Sequence, residues 1–326
     1  MNTAACIIVR RPDPERLLET VRSIAPQVDT VVVVVDAGSD MLAAARALRG
    51  IALVVAVPRG TGAGAAANHG VRLLVEHGAE VVVRLDPDHV APADMVAELV
   101  RRFEDPRVAV AAGVLGPVGA VGPVTAGRHG GPRGVDACAT SGSALRTDVW
   151  REIGGWDEEL ATDHLEFDLC LRVRQSGYVV LQDPGVVVGR PARGAAASAP
   201  IHDLVALADR AHDSVWFARK HRGVPLSVRV AGRSRPGTAA AIAVQVVRAA
   251  LGSHDNARAR THAPARTHAP ARTHAHDHVP VHGRAATVAA LLRGALAGAA
   301  VRRSPERSAA PAPLTAIRHD RSRSAA

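Results

Sequence analysis

The chain is expected to fold as an α/β protein with a doubly wound, mostly parallel sheet flanked by helices. Two observations predict this. Between residues 4 and 85, short runs rich in Val and Ile alternate with longer stretches of helical spacing, the signature of strand–helix units laid side by side. The strand-like runs are continuous rather than alternating, as in strands buried on both faces.

Taken in order, residues 4–9 read as the first strand, and Pro12 and Pro14 open a helix to about residue 24. Five consecutive valines at 31–35 form the second strand, which ends in the turn Asp36-Ala-Gly-Ser-Asp40. A helix to about residue 48 and a strand at 51–57 follow. The small-residue stretch Gly60-Thr-Gly-Ala-Gly-Ala-Ala-Ala-Asn-His-Gly70 opens a helix running to about residue 77. Residues 81–85 are the next strand, and Asp86-Pro-Asp88 stands at its end. Residues 113–134, rich in Gly, Pro and Val, read as a loop crossing the sheet. A helix is expected near 146–153, a turn at Gly154-Gly155-Trp156, and helical spacing of Leu165, Leu169 and Val173 over 163–176.

Length and composition bound the rest. With 326 residues, 47% of them hydrophobic, the chain has material for one α/β domain of about 200–250 residues plus an appendage. The boundary is expected near 223. Residues 222–326 hold 17 Arg against four acids, so the strong basicity belongs to the tail and the preceding part is mildly acidic. The tail repeats Ala-Arg-Thr-His-Ala-Pro at 259–264 and 265–270 and in part at 271–276, within a low-complexity linker over 254–282. That linker separates Ala-rich helices expected at 237–251 and 285–301. Both are shorter than the roughly 20 residues of a membrane span and carry Arg248 and Arg293. Peripheral contact with an anionic membrane through this basic tail is one expectation, and packing on the domain is the other. The tail lacks interleaved aromatics for base stacking, so no specific nucleic-acid binding is expected. Cys6, Cys138 and Cys170 have no metal-ligand spacing, and Cys6 and Cys170 sit in apolar patterns as buried thiols. The start Met1-Asn-Thr-Ala shows no charged leader region, so the expected location is cytoplasmic, at the inner face of the plasma membrane where the tail makes contact.

The chemistry concentrates in four segments. Asp86 and Asp88, two carboxylates one residue apart where an open α/β sheet binds ligands, suit a hard cation such as Mg²⁺ or Mn²⁺ holding a diphosphate. Asp36, also at a strand end, has a carboxylate able to accept from a base or ribose. The third is the stretch ending in Asn68-His-Gly70. The fourth is Thr140-Ser141-Gly142-Ser143, then Gly154-Gly-Trp156-Asp-Glu, then Asp163, Glu166 and Asp168 ahead of Leu-Cys-Leu-Arg172.

In this order the motifs resemble the family 2 glycosyltransferases of the GT-A fold, most of all bacterial rhamnosyltransferases that build cell-envelope glycans. Members read Val-Asp-Asn-Gly-Ser, then Asn-x-Gly-x-Ala-x-Ala-x-Asn-x-Gly, Leu-Asp-x-Asp, Ser-Gly-Ser, Gly-Gly-Phe-Asp-Glu and a carboxylate pair before Leu-Cys-Leu-Arg. The likeness spans residues 4 to about 182. It implies an inverting transferase using a nucleotide-activated sugar, dTDP-rhamnose or a UDP-sugar, and a glycan or lipid-linked acceptor. It implies that Asp36, Asn68, Asp86, Ser141, Gly142 and Ser143 bind donor, that Asp88 with Asp86 ligates the metal, and that Asp163 and Trp156 face the acceptor. Glu166 falls at the general base, with Asp168 beside it. The chain departs from the family at Val9-Arg10-Arg11-Pro12, where Val-Thr-Tyr-Asn is common, at Ala37 and Gly60, where Asn is common, and at Glu166, where Asp is usual. Arg190 stands where many relatives place a metal-ligand His, and His202 is the nearest His downstream.

Two other readings compete. Gly60-x-Gly62 before a helix, with Asp86 further on, mimics a dinucleotide fingerprint and suggests an NAD-dependent dehydrogenase. The altered first motif suggests a non-catalytic sugar-nucleotide binder.

Overall fold

The computed structural model describes residues 1–10, 13–36, 41–117, 131–162, 164–190, 204–221, 227–230, 233–236, 290 and 293–297. The first half alternates strand and helix: β1 (Thr3–Val9), α1 (Pro14–Ile24), β2 (Thr30–Asp36), α2 (Met41–Ala47), β3 (Leu53–Val57), α3 (Ala63–Glu76), β4 (Val81–Leu85) and α4 (Met95–Arg101). Then come β5 (Val108–Pro117), β6 (Arg133–Gly134), β7 (Ser143–Arg146), α5 (Thr147–Glu152), α6 (Leu165–Gln175), β8 (Val179–Arg190), α7 (Leu204–Lys220), β9 (Ser227–Val230) and β10 (Arg233–Pro236).

Eight strands form one sheet in the order β3-β2-β1-β4-β7-β5-β8-β6. β3, β2, β1 and β4 are mutually parallel, as are β5 and β8. β7 lies antiparallel between β4 and β5, and β6 is antiparallel to β8. The expected α/β class and mostly parallel sheet are therefore present. The second half is mixed because β7 runs against its neighbours, which brings the Ser141-Gly142-Ser143 turn to the same edge as the end of β4.

Alternation along the buried strands sorts side chains onto two faces. Cys6, Val32, Val34 and Val82 meet Ala66, Val71 and Leu74 of α3, Trp150 of α5 and Leu169 and Val173 of α6. Ile7, Val33, Val83 and Leu85 meet Leu17, Val21 and Ile24 of α1 and Met95 and Leu99 of α4. Each fully buried valine contributes roughly 1.5–3 kcal/mol by leaving water, which favours the five-valine run of β2 as an inner strand. α1 starts where the sequence signals it: Asp13 accepts from the Glu15 and Arg16 amides, and Pro14 occupies the first turn. Gly70 lets α3 press on the sheet, since an added Cβ would come within 2.6 Å of Cys6 Sγ and 2.8 Å of Val34 Cγ2.

Several expectations change. Residues 113–117 continue β5 instead of forming a loop, because they pair with β8 across a register shift; residues 118–130 lie outside the described set. The strands β5, β7 and β8 and the helices α4 and α7 had no strong sequence signal. Cys6, Cys138 and Cys170 are all buried and free, with Cys138 and Cys170 Sγ 4.0 Å apart. Burial pushes the Cys6 thiol up despite the nearby Arg84 guanidinium. Beyond the expected boundary, β9 and β10 form an antiparallel hairpin. The 237–251 helix and the 254–282 linker lie outside the described residues. Of the helix expected at 285–301, residues 290 and 293–297 are helical. Gly294 there sits flush on α7, where an added Cβ would overlap the Ala208 carbonyl. Among the described residues no helix is long and apolar enough to cross a membrane.

Candidate functional site

Register places the carboxylates. Ile7 of β1 pairs with Leu85 on one side and Val33 on the other. Asp86 follows Leu85 directly, and Asp36 closes β2 at the same, C-terminal edge. Two strand spacings across and two residues along put their Cα atoms about 12 Å apart.

The Asp86-Pro87-Asp88 turn is fixed from several sides. The Asp86 amide donates to Ser141 Oγ at 2.9 Å, the His89 amide donates to the Asp86 carbonyl at 3.1 Å, and buried Thr20 donates to the Pro87 carbonyl at 3.0 Å. Val90 and Gly189 exchange two backbone hydrogen bonds of 2.8 Å just beyond. His89 is buried, with Nδ1 2.5 Å from Ser141 Oγ and its two ring nitrogens 3.9 Å from the Asp86 and Asp88 carboxylates. The result is a rigid turn whose carboxylates stay about half exposed, at 49% and 47%. Among the described residues no three His, Cys, Asp or Glu side chains converge as a metal cage. Two exposed hard oxygens fit Mg²⁺ or Mn²⁺, which keep waters and substrate phosphates in their shell.

Ser141, Gly142 and Ser143, expected to line the donor pocket, face the protein. Ser141 is engaged by Asp86 and His89, and Ser143 Oγ donates to the Thr140 carbonyl at 2.6 Å; both are buried. Gly142 adopts φ +77, donates to the Arg84 carbonyl, and lies where an added Cβ would meet Val188 Cγ2 at 2.6 Å. These residues form the floor beneath the Asp86-Pro87-Asp88 turn.

Asn68 is also corrected. It is buried, and its carboxamide is taken up by a segment far along the chain: Nδ2 donates to the Trp156 carbonyl (2.8 Å) and Glu158 Oε1 (2.9 Å), while Oδ1 accepts from the Trp156 amide (2.8 Å). It clasps the Gly154-Gly155-Trp156 turn. Trp156, expected at the acceptor, is 4% exposed in the core, with the Arg84 guanidinium 5.8 Å from its ring centroid. The reason in both cases is packing across the sheet that spacing along the chain does not reveal.

The glycine stretch at 60–64 packs against the same segment. The Ala63 amide donates to the Ala161 carbonyl at 2.9 Å, and an added Cβ on Gly64 would overlap the Asp157 carbonyl. The N-terminus of α3 is thus covered by the protein's own chain, so it has no room for a dinucleotide pyrophosphate. This removes the basis of the dehydrogenase reading. Arg10, at the altered first motif, also donates to the Ala161 carbonyl at 2.5 Å. Asp36 is half-buried and accepts from the Gly60 amide at 3.4 Å.

Glu166 lies half-buried in the first turn of α6. Asp168, expected beside it in catalysis, is fully buried and saturated: Arg172 donates at 2.7–2.8 Å, Lys220 lies at 2.7 Å and His221 at 2.8 Å. Burial pushes its carboxyl up, but the His221 hydrogen bond and the Arg172 and Lys220 charges outweigh this and hold it well below the usual carboxylate range. It is a buried hub that joins α6 to α7. Asp163, Arg11, Ala37 and His202 lie outside the described residues, as does the side chain of Arg190.

Sequence reasoning missed the face of α7 that grips this region. Asp213 accepts from the Ala161 and Thr162 amides at 3.0 and 2.8 Å, Trp216 Nε1 donates to Asp157 Oδ2 at 2.9 Å, and Lys220 reaches the same oxygen at 2.6 Å. Asp213, Trp216, Phe217 and Lys220 follow i, i+3, i+4, i+7 spacing, a signal present in the sequence but diluted by the intervening Arg219 and Ser214.

No curated protein matches the chain significantly. Solved structures do. The crystal structure of GalNAc-T7 with UDP, GalNAc and Mn²⁺ is 15% identical with a TM-score of 0.49, covering 59% of this chain and 44% of that one. The mannosyltransferase PcManGT from Pyrobaculum calidifontis, in complex with GDP-Man and Mn²⁺, is 17% identical with a TM-score of 0.47, covering 81% and 76%. The chain thus spans less than half the length of the first. A family model described as glycosyl transferase family 2 matches residues 5–130, the segment that contains Asp36, Asp86 and Asp88.

Proposed function

We propose that the protein transfers a sugar from a nucleotide diphosphate donor to an acceptor hydroxyl, with inversion and with the help of a divalent cation. One observation carries the reading: the family 2 match covers the strand ends at which the structure collects Asp36, Asp86 and Asp88. Asp88 and Asp86 would hold Mg²⁺ or Mn²⁺, which when bound neutralises charge developing on the leaving diphosphate. Asp36 accepts from the nucleoside. Glu166, a half-buried carboxylate in the first turn of α6, takes the proton of the attacking hydroxyl. The resemblance favours dTDP-rhamnose over UDP-sugars and a cell-envelope glycan or lipid-linked acceptor, reached from the cytoplasmic membrane face with the basic tail on anionic lipid.

Calorimetric titration of dTDP-rhamnose and UDP-glucose with Mn²⁺ or EDTA tests this. Binding of one donor only with metal is expected. Asp88→Asn should weaken it by at least the roughly 10–100-fold that outer-sphere changes cost a metal site, and Glu166→Gln should stop turnover while binding persists. Binding of neither donor sinks the reading and favours a protein that has lost the reaction.

A further inference from the structure

We propose, on the basis of that reading, that Lys220 is a positioning residue for the transfer reaction: by bridging Asp157 and Asp168 it fixes the 157–162 segment and α6, and with them Glu166. The chain has 40 Lys and Arg side chains together, and Lys220 alone is a lysine. It stands where chemistry calls for one. Its ammonium lies 2.6 Å from Asp157 Oδ2 and 2.7 Å from Asp168 Oδ1, carboxylates of side chains 10% and 0% exposed. A compact ammonium with tetrahedral donors serves two carboxylates on different segments, whereas a guanidinium fork grips one carboxylate edge-on. Arg172 already occupies the other oxygen of Asp168, and His221 shares the first.

The two carboxylates belong to the two segments that must keep their places. Asp157 opens the loop that packs on the N-terminus of α3 and carries the Ala161 carbonyl gripped by Arg10. Asp168 lies two residues beyond Glu166 on α6. Between them His164 is held at φ +64, a conformation uncommon outside glycine, by stacking on Phe217 (5.0 Å) and by a 3.1 Å contact with Ser214 Oγ. Ser214, Phe217 and Lys220 all belong to α7, which follows the 5–130 match. Without the ammonium, Asp168 keeps Arg172 and His221 and Asp157 keeps Trp216, but the cation that joins the two segments is lost. Misplacing a reacting group by about 1 Å costs about 100-fold in rate.

The test uses the full-length protein and three variants: Lys220→Met, Lys220→Arg and Asp157→Asn. Metal-dependent hydrolysis of dTDP-rhamnose and UDP-glucose, Mn²⁺–nucleotide affinity and amide exchange are measured on each. Lys220→Met is expected to lower kcat about 100-fold with nucleotide affinity nearly unchanged, and to speed exchange at 157–162 and 164–168 but not in β1 or β2. Lys220→Arg should not restore kcat. Unchanged kcat, or a fall in step with nucleotide binding, overturns the proposal. If Lys220→Met does not fold, Asp157→Asn, which cuts one arm of the bridge, must give the same split, and wild-type kinetics there overturn it. If the wild-type protein turns over neither donor, the transfer reading fails separately, and unchanged exchange at 157–162 and 164–168 overturns the clamp itself.

Discussion

At the scale of residues, the site separates exposed carboxylates from saturated ones. Asp86 and Asp88 are half exposed on a turn braced by Ser141, His89 and Thr20. Asp168 and Asn68, drawn from equally suggestive motifs, are buried with their polar atoms engaged. Asn68→Leu leaves the Trp156 amide and carbonyl without partners, at about 1–3 kcal/mol for each buried group. Urea denaturation is expected to show a loss of roughly 2–6 kcal/mol, and calorimetry an unchanged affinity for the Mn²⁺–nucleotide. A loss of affinity with stability intact would restore Asn68 to the donor site. Both residue types were legible as important in the sequence; whether they touch solvent or each other was not.

At the scale of elements, α3 and α7 act as the two jaws that hold residues 154–162 and 164–168. α3 contributes small residues: Gly64 and Gly62 let the Asp157–Ala161 backbone lie against its first turn. Gly64→Ala must force the two apart, and overpacking of this kind costs about 1–3 kcal/mol. A lower thermal midpoint, with faster amide exchange near residue 157, is the expected result; wild-type stability would mean the contact yields freely. α7 contributes polar anchors instead, through Asp213, Trp216 and Lys220. The glycine run was visible in the sequence, but its purpose was not, because a glycine that receives a phosphate and one that receives a backbone look alike.

At the scale of the whole molecule, one buried charge cluster ties α6, α7 and the 157–162 segment together, so stability is linked to pH. Asp168 has a folded-state pKa depressed below its ordinary value of 3.8. A depressed carboxylate contributes stability that is full above the unfolded value and is lost as pH falls towards the folded one. Urea midpoints are therefore expected to drop as pH is lowered from about 6 to about 3, with a shallower slope in Asp168→Asn. An identical slope in the variant would assign the acid sensitivity elsewhere. His212 works in the opposite sense: its hydrogen bond to Asp213 raises its pKa, so its contribution fades as pH rises through that raised value.

The sequence by itself determined the class of fold and the location of the candidate chemistry. Continuous Val runs favour buried strands, and Asp36, Asp86 and Asp88 stand at the ends of two of them, the edge where an open α/β sheet binds ligands. Local pattern suffices for both, because burial on two faces and strand periodicity act over neighbouring residues. Only the tertiary structure decided which motif residues are available to a ligand. The antiparallel β7, the turning inward of Ser141 and Ser143, the clasp of Asn68 on Trp156 and the Lys220 bridge all join segments tens of residues apart. Such contacts depend on how layers meet, and a buried carboxylate held by Arg172, Lys220 and His221 has the same letter in the sequence as one that holds a metal.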